Sequence, residues 1–441
     1  MAHHANNGEG SPKQGGSLSL GGFGVAIALV ACILAAFAGW WYGIHHTGSN
    51  TPATSSALVD LTNASQQASL LVLSSQDDLP EGYLSVDEAL KAAGFEPQGN
   101  LVYRATVQGV DVEVRWDVEH LLCYKNEYQF NLAGDRVIHA EGTLYAQQSL
   151  LEQLLTCKLS QDANGAVQVA TVDYASSPWW EGRLIAHAGG GYRFDNIVDK
   201  WNNSLDALVQ NYSLGHRVFE FDFTLTSDDK LACVHDWTQF GTYDGVAHTA
   251  EEWKNNFGAS RNHPENGLRT MTLDDLLDQM LVNPDMFVVT DTKSYELTNE
   301  ETRHQFEVLC NTVQARDPAL LDRFIVQIYT MDMYDVIMDV YPFAHVIYTS
   351  YAIIQPEDEV VDFVVSHDNV DVLASNIEQE RFTPEQIKRI HTAGKKWFRH
   401  TINDYSDFSR FSGEGMDGAY TDVLLPRDIQ LLANISEDRL F

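Results

Sequence analysis

Four short clusters in the second half of the chain carry side chains that together could cleave a phosphodiester. They are His187, Glu220-Phe221-Asp222, His235-Asp236 and Asp291-Thr292-Lys293. Glu220, Asp222 and Asp291 offer three carboxylates to one hard divalent cation, and the lack of Cys or His among them favours Mg²⁺ or Ca²⁺ over Zn²⁺. His187 and His235 offer imidazoles, which exchange protons near neutral pH and suit a general acid and a general base. The clusters predict metal-assisted phosphodiester chemistry with one divalent cation as cofactor.

The spacing within the clusters predicts β-strands whose charged side chains lie on one face. Glu220 and Asp222 are two residues apart in a run that alternates apolar and polar, and such residues share one face of a strand. Asp291 and Lys293 have the same spacing, so Lys293 is predicted to hold the substrate phosphate as a point charge. The flanking phenylalanines indicate that the strand of Glu220 is covered on both faces, where a charge needs a partner. An ion pair with Lys293 would meet part of that need without a cation, which leaves this alternative open.

From Arg183 onward, strand and helix patterns alternate. The predicted strands are Leu184–His187, Arg217–Thr224, Leu231–His235, Phe287–Thr292, Phe324–Tyr329, His345–Ser350, Val370–Ala374, Lys396–Thr401 and Gly418–Thr421. Repeated strand–helix units over about 250 residues predict an α/β fold of the (β/α)8 TIM-barrel type, with functional residues at the carboxyl ends of the strands. Nine strands are more than this barrel needs, so at least one is expected to be an addition. A doubly wound open sheet is the alternative, but residues 188–191 lack the G-x-G-x-x-G spacing of its phosphate loop.

Length and charge limit the possible partners. A chain of 441 residues predicts two globular units with additional segments. Its formal net charge of −34 repels polyanions, which argues against nucleic acid as a partner. An anionic substrate would need a local cation to offset this field, and that strengthens the case for a metal site.

The amino-terminal segment predicts a membrane anchor. Residues 21–44 carry no charge, are long enough to cross a bilayer as a helix, and end in aromatic residues. The distribution of lysine and arginine favours residues 1–20 as a disordered cytoplasmic tail, residues 45–80 as a linker, and a barrel on the periplasmic or extracellular side. This localises the protein to the cell membrane as a single-pass protein. A signal peptide cleaved after Ala36-Phe37-Ala38 is the alternative.

Residues 81–175 predict a small α+β domain without a chemical motif. Ser85 followed by Glu88 opens a helix as in a capping box, and the segments 101–107 and 110–116 alternate around Gln108-Gly109 as in a hairpin. A structural role and the binding of a protein partner are both compatible with this region. Cys123 and Cys157 lie in it and are able to pair in an oxidising compartment, with free thiols as the alternative.

Residues 183–430 resemble the glycerophosphodiester phosphodiesterase family, a branch of the phosphatidylinositol-phospholipase-C-like barrels. The matching segments occur in the family's order and are Ile185-Ala-His-Ala-Gly, Asn203-Ser-Leu-Asp-Ala, Phe219-Glu-Phe-Asp-Phe-Thr-Leu-Thr-Ser-Asp-Asp, Val234-His-Asp, Thr270-Met-Thr-Leu-Asp-Asp-Leu-Leu, Thr401-Ile-Asn and Gly415-Met-Asp-Gly-Ala-Tyr-Thr-Asp. The resemblance implies that Glu220 and Asp222 are metal ligands and that His187 and His235 are the acid/base pair. The third ligand, usually Glu in this family, is Asp291 here, and its Asp-x-Lys motif is similar to that of sphingomyelinase-D-type phospholipases.

One departure from the family concerns phosphate binding. Ala188 stands where the family commonly has an arginine that contacts phosphate, and Arg193 is predicted to replace it. Trp397 is predicted to line the substrate pocket. We therefore expect residues 183–441 to form a membrane-anchored, metal-dependent phosphodiesterase for glycerophosphodiesters or related envelope phosphodiesters. A non-catalytic ligand-binding or scaffold protein on the same barrel is the alternative, which would show no carboxylate-dependent cation binding.

Overall fold

The computed structural model describes residues 70–132, 136–238, 244–260, 262–292, 297–352, 355–379 and 381–431. The predicted tail 1–20 and the predicted anchor 21–44 lie outside these ranges. Within them, no helix combines the length and apolar character needed to cross a bilayer. The linker predicted over residues 45–80 contains one regular element. The apolar segment Leu71–Leu73 forms a strand that pairs in parallel with Val137–Ala140.

The first region of the described chain is a small α+β unit. Its strands are β1 Leu71–Leu73, β2 Tyr83–Ser85, β3 Glu96–Gly99, β4 Val102–Val107, β5 Val110–Asp117, β6 Leu122–Lys125, β7 Tyr128–Asn131, β8 Val137–Ala140, β9 Thr143–Gln147, β10 Cys157–Gln161 and β11 Val167–Thr171. Its helices are α1 Val86–Ala92 and α2 Gln148–Leu155. The strands form a five-stranded antiparallel sheet β3–β7, a four-stranded sheet in the order β1-β8-β9-β2, and the hairpin β10–β11.

Local patterns account for most of this unit. The side chain of Ser85 accepts a hydrogen bond from the Glu88 amide at the start of α1, and β4 and β5 form the predicted hairpin. The helix α2 ends at Leu155 because Thr156 takes a left-handed conformation (φ 50°), and strands flank this helix on both sides. Cys123 and Cys157 are both free thiols.

The second region is a closed parallel barrel. Its eight strands are β12 Leu184–Ala186, β15 Val218–Leu225, β17 Phe287–Asp291, β18 Phe324–Ile328, β19 His345–Thr349, β20 Val370–Asn376, β21 Lys396–His400 and β22 Gly418–Thr421. The short strands β13 Tyr192–Phe194 and β14 Ile197–Asp199 pair with each other, and β16 Leu231–Cys233 pairs antiparallel with β15. Because β12 pairs with both β22 and β15, the sheet closes, which confirms the barrel and excludes the doubly wound sheet. The surplus ninth strand of the sequence prediction is β16.

Helices connect the barrel strands. They are α3 Leu205–Ser213, α4 Ala250–Asn256, α5 Leu273–Val282, α6 Asn299–Arg316, α7 Met331–Val340, α8 Glu357–Ser366, α9 Pro384–Thr392 and α10 Tyr405–Gly413. Threonine side chains cap several of them, and reciprocal capping boxes start α4, α5, α6 and α9. Short 3-10 turns lie at Gln76–Asp78, Trp179–Gly182, His187–Gly189, Pro264–Asn266 and Pro318–Arg323.

The period of two along each strand separates the barrel interior from the layer beneath the helices. Ile185, Val218, Val289 and Phe398 belong to one apolar cluster that fills the interior. The phenylalanines that alternate with the acidic residues of β15 pack instead into the larger core that includes the helices. Glu220 and Asp222 lie two and four residues beyond Val218 on the same face of β15. The alternation of the strand therefore places both carboxylates in the interior, toward the carboxyl end of the barrel.

The α+β unit packs against the barrel through β7. The rings of Tyr128 and Tyr212 meet edge to face with centroids 4.8 Å apart, and the Tyr128 hydroxyl donates to Oε1 of Gln279 at 2.8 Å. The amide of Gln129 donates to the hydroxyl of Ser213 at 2.9 Å. These three contacts fall on α3 and α5, which pack the unit against the outside of the barrel.

Candidate active site

Three carboxylates converge at the carboxyl ends of two adjacent strands. Glu220 and Asp222 lie on β15, Asp291 ends β17, and the register pairs Asp222 directly with Asp291. One carboxylate oxygen from each residue lies within 4.8 Å of the others, and all three side chains are buried. Buried like charges this close repel one another, and the three carboxylates together could hold a metal ion. An all-oxygen donor set of this kind fits Mg²⁺ or Ca²⁺.

Each carboxylate is also held by a hydrogen-bond donor from elsewhere in the barrel. The amide of Ala188 donates to Oε2 of Glu220 at 2.7 Å. Asn203 donates through Nδ2 to Oδ2 of Asp222 at 2.9 Å, and its Oδ1 accepts from the Asp222 amide at 3.1 Å. The hydroxyl of Tyr329 donates to Oδ2 of Asp291 at 2.9 Å. These donors fix the orientation of the carboxylates before any cation binds.

His187 directly follows the first barrel strand, and it pairs with Asp422, which directly follows the last one. Its Nδ1 lies 2.8 Å from Oδ1 of Asp422, and Asn403 donates to Oδ2 of the same carboxylate at 2.7 Å. The amide of Gly191 donates to the Asp422 carbonyl at 2.9 Å, and a Cβ at Gly191 would lie 2.6 Å from that oxygen, so glycine allows the loop to close. The two ends of the barrel sequence therefore meet at this histidine.

The charge of Asp422 controls the protonation of His187. Burial disfavours the imidazolium, but the Asp422 carboxylate, its hydrogen bond and the charges of Glu220 and Asp222 outweigh burial and raise the pKa of His187 to about 9. Burial likewise favours the neutral form of Asp422, but the imidazolium of His187 dominates and lowers the pKa of the Asp422 carboxyl. The pair is therefore an ion pair at neutral pH, with His187 in its protonated form.

His235 lies beside the second carboxylate. The amide of Val234 donates to the carbonyl of Asp222 at 3.0 Å, which anchors the loop that follows β16 next to the acidic cluster. Nδ1 of His235 lies 2.6 Å from Oδ2 of Asp236, and the side chain is 37% exposed. This histidine is thus oriented by an adjacent carboxylate, as His187 is, but it is open to solvent.

The three predicted substrate-binding residues have different surroundings. Lys293 lies outside the described residues. The guanidinium of Arg193 donates to the carbonyls of Gly191 and Val423 and to Oδ1 of Asn211, which ties it to the backbone of the glycine-rich loop. Trp397 packs in the core between the barrel and its helices, and its Nε1 donates to the hydroxyl of Ser375 at 2.9 Å. This differs from the predicted pocket lining, because Trp397 alternates with the interior residues of its strand.

Side chains that no local motif indicated also surround the site. The ring of His400, on the interior face of β21, lies 4.8 Å from the ring of His187 and stacks on Tyr351 at 4.6 Å. Tyr329 reaches Asp291 from β18, and its hydroxyl lies 3.5 Å from that of Tyr351. The only signal in the sequence that could have found His400 is its spacing of two from Phe398.

The chain is similar to known proteins in its family match and in its fold. A model of the glycerophosphoryl diester phosphodiesterase family matches residues 187–425. No relative is found among curated proteins. Among solved structures, a glycerophosphodiester phosphodiesterase from Parabacteroides distasonis is 20% identical, with 58% of this chain and 98% of that chain covered and a TM-score of 0.45. A phosphodiesterase from Oleispira antarctica in complex with the product sn-glycerol-3-phosphate is 18% identical, with 57% and 96% covered and a TM-score of 0.44. A glycerophosphodiester phosphodiesterase from Thermotoga maritima is 18% identical, with 57% and 97% covered and a TM-score of 0.41.

Proposed function

The chain belongs to the glycerophosphoryl diester phosphodiesterase family and is a phosphoric diester hydrolase; from this premise we propose that it hydrolyses glycerophosphodiesters with one divalent cation and two histidines. The observation that carries the proposal is the convergence of Glu220, Asp222 and Asp291 on one buried point, with an ion-paired His187 on the neighbouring strand. The role of the carboxylates is to hold Mg²⁺ or Ca²⁺. A cation bound by these residues would neutralise the charge that develops on the phosphoryl oxygens.

The two histidines divide the proton transfers. His187 is protonated at neutral pH through its pair with Asp422, so it donates a proton to the leaving oxygen. His235 accepts the proton of the attacking hydroxyl, and Asp236 orients its ring. Nδ1 of each ring faces its carboxylate, so the transfers take place at Nε2. One proton leaves the attacking hydroxyl and one proton reaches the leaving oxygen, so the transfers through the two rings balance.

Phosphate binding is assigned to Lys293 rather than to Arg193. Ala188 provides no charge at the position of the family's arginine, and the hydrogen bonds of Arg193 hold its guanidinium against the loop backbone. Lys293, two residues beyond Asp291, has the spacing that directs it to the same side of the chain. As a point charge it would hold the phosphate without a fixed bidentate geometry.

We further propose that residues 21–44 anchor the protein in the cell membrane, with the barrel on the extracytoplasmic side. The length and apolar composition of the segment and the positions of its aromatic residues support this. Residues 81–175 are proposed to bind a protein partner through the surface that does not face the barrel. Fractionation of membranes, followed by protease digestion of intact cells, tests the anchor and its orientation.

The activity is tested with a panel of phosphodiesters followed by ³¹P NMR, with Mg²⁺, with Ca²⁺ and with EDTA. The panel spans glycerophosphocholine, lysophospholipids and envelope polymer fragments. We expect cation-dependent release of a phosphomonoester, and a transient cyclic phosphate would show that a hydroxyl of the substrate is the attacking group. Absence of turnover for every diester with either cation would refute the proposal and favour a ligand-binding barrel.

A further inference from the structure

A chain of hydrogen bonds in the barrel interior ends on one of the three carboxylates. The hydroxyl of Tyr420 donates to Oε1 of Gln327 at 2.6 Å, and Nε2 of Gln327 donates to the hydroxyl oxygen of Tyr329 at 2.8 Å. The hydroxyl of Tyr329 then donates to Oδ2 of Asp291 at 2.9 Å. All four side chains are at most 2% exposed. We call these residues the interior relay.

With the amide of Gln327 oriented as in the structure, every hydrogen bond of the relay donates toward Asp291. A glutamine amide has a donating and an accepting end, and here the donating end faces Tyr329. Because the oxygen of Tyr329 accepts from Gln327, its single hydrogen is directed to Asp291. Reversal of the amide would turn that hydrogen toward Gln327 and remove the hydrogen bond from Tyr329 to the carboxylate. In a buried chain of this kind each bond polarises the next, so the positive ends of three dipoles point at Asp291.

The position of Asp291 explains why such a donor is needed. Its carboxylate lies within reach of those of Glu220 and Asp222, and repulsion between them favours other rotamers. The other two carboxylates receive donors from an amide in the loop after β12 and from Asn203, both near the start of the barrel sequence. Asp291 receives its donor from β18, through the relay.

We propose that Tyr329 is a positioning residue that holds Asp291 in the orientation that binds the cation, and that Gln327 and Tyr420 set the direction of its hydrogen bond. The inference rests on the proposed cation-dependent function. It makes the affinity for the cation depend on hydroxyl groups that do not contact the cation. Donors of this kind typically change metal affinity 10–100-fold when removed.

The test is calorimetric titration of the full-length protein with Ca²⁺, compared with Tyr329→Phe. We expect Kd to rise about tenfold, and kcat to recover at saturating Ca²⁺, because the ring and the three ligands remain. Tyr348→Phe is the matched control, since Tyr348 is equally buried in β19 and loses a comparable bond, from its hydroxyl to Oε1 of Gln355 at 2.8 Å. This control should bind Ca²⁺ like the wild type, even if its thermal stability falls.

A double-mutant cycle with Tyr420→Phe tests the relay itself. Tyr420→Phe alone should weaken Ca²⁺ binding, and it should weaken it no further when Tyr329 is already Phe, because its influence passes through Tyr329. Additive effects would overturn the relay, as would an unchanged Kd in Tyr329→Phe. Should Tyr329→Phe fail to fold, an unchanged Kd in Tyr420→Phe would overturn it equally. If the wild-type protein binds neither Ca²⁺ nor Mg²⁺, the proposed cation dependence itself fails. If the wild type binds the cation and Tyr329→Phe has an unchanged Kd, only the relay fails.

Discussion

The substitution Asp422→Asn isolates the electrostatic part of the proposed mechanism. It keeps the size of the side chain and removes the charge that holds His187 in its protonated form. The pKa of His187 is raised from 6.5 to about 9 against the opposing effect of burial. That difference corresponds to about 3 kcal/mol between the two protonation states. Without the carboxylate, burial dominates, and the pKa of His187 should fall below 6.5.

Two measurements follow from this value. In EDTA, His187 stabilises the folded protein fully below pH 6.5, and this stabilisation is lost as pH rises through about 9, because the folded-state pKa is the higher one. Urea unfolding should therefore show Asp422→Asn to be less stable by up to about 3 kcal/mol at pH 6, with the difference shrinking above pH 9. In turnover, kcat should fall about 100-fold, and the alkaline limb of the pH profile should move to lower pH.

A second histidine–aspartate pair at the other end of the barrel provides the control. Nδ1 of His345 lies 2.7 Å from Oδ2 of Asp371, a carboxylate to which Trp179 also donates. Asp371→Asn should change stability but leave the pH profile of turnover unchanged. The reasoning is refuted if Asp422→Asn keeps the wild-type alkaline limb, or if Asp371→Asn moves it as far.

Three further predictions concern the histidines, the arginine and the contact between the two regions. His187→Ala and His235→Ala should each lower kcat by at least about 100-fold while Ca²⁺ binding by calorimetry persists, and near-normal turnover in both would contradict their roles. Arg193→Lys should lower the unfolding free energy by about 1–3 kcal/mol, because the guanidinium donates to buried acceptors, and KM should not change. A large rise in KM would instead show that Arg193 binds the substrate phosphate. Tyr128→Ala should cost about 3–5 kcal/mol, since its ring is buried between the regions, and an unchanged urea midpoint would show that they are stable independently.

The sequence predicted the barrel and its acidic centre because both depend on local patterns. The alternation in β15 places Glu220 and Asp222 on one face, and the register with β17 brings Asp291 beside them. Both features follow from the period of two and from the parallel order of the strands. The same period did not decide which face of β21 points inward, because each face carries one aromatic and at least one basic residue. Trp397 and Arg399 share one face, and Lys396, Phe398 and His400 share the other. Trp397 was therefore predicted at the pocket, whereas Phe398 and His400 point into the barrel.

Contacts between residues that are far apart in the sequence could not be predicted from local sequence patterns. His187 and Asp422 are 235 positions apart, and their pairing depends on closure of the barrel between its first and last strands. Tyr329 and Asp291 meet only because β17 and β18 are neighbours with a fixed register. Sequence patterns identify which residues can do chemistry, whereas the partners that tune them are set by the tertiary fold.

Calorimetric titration of the protein with Ca²⁺ and Mg²⁺ tests whether the three carboxylates hold one catalytic cation. The measurement compares the wild type with Asp222→Asn and, as a control, with Asp371→Asn. One bound cation per chain in the wild type and in the control, and none in Asp222→Asn, is the predicted result. Absence of binding in the wild type, or undiminished binding in Asp222→Asn, would contradict the account.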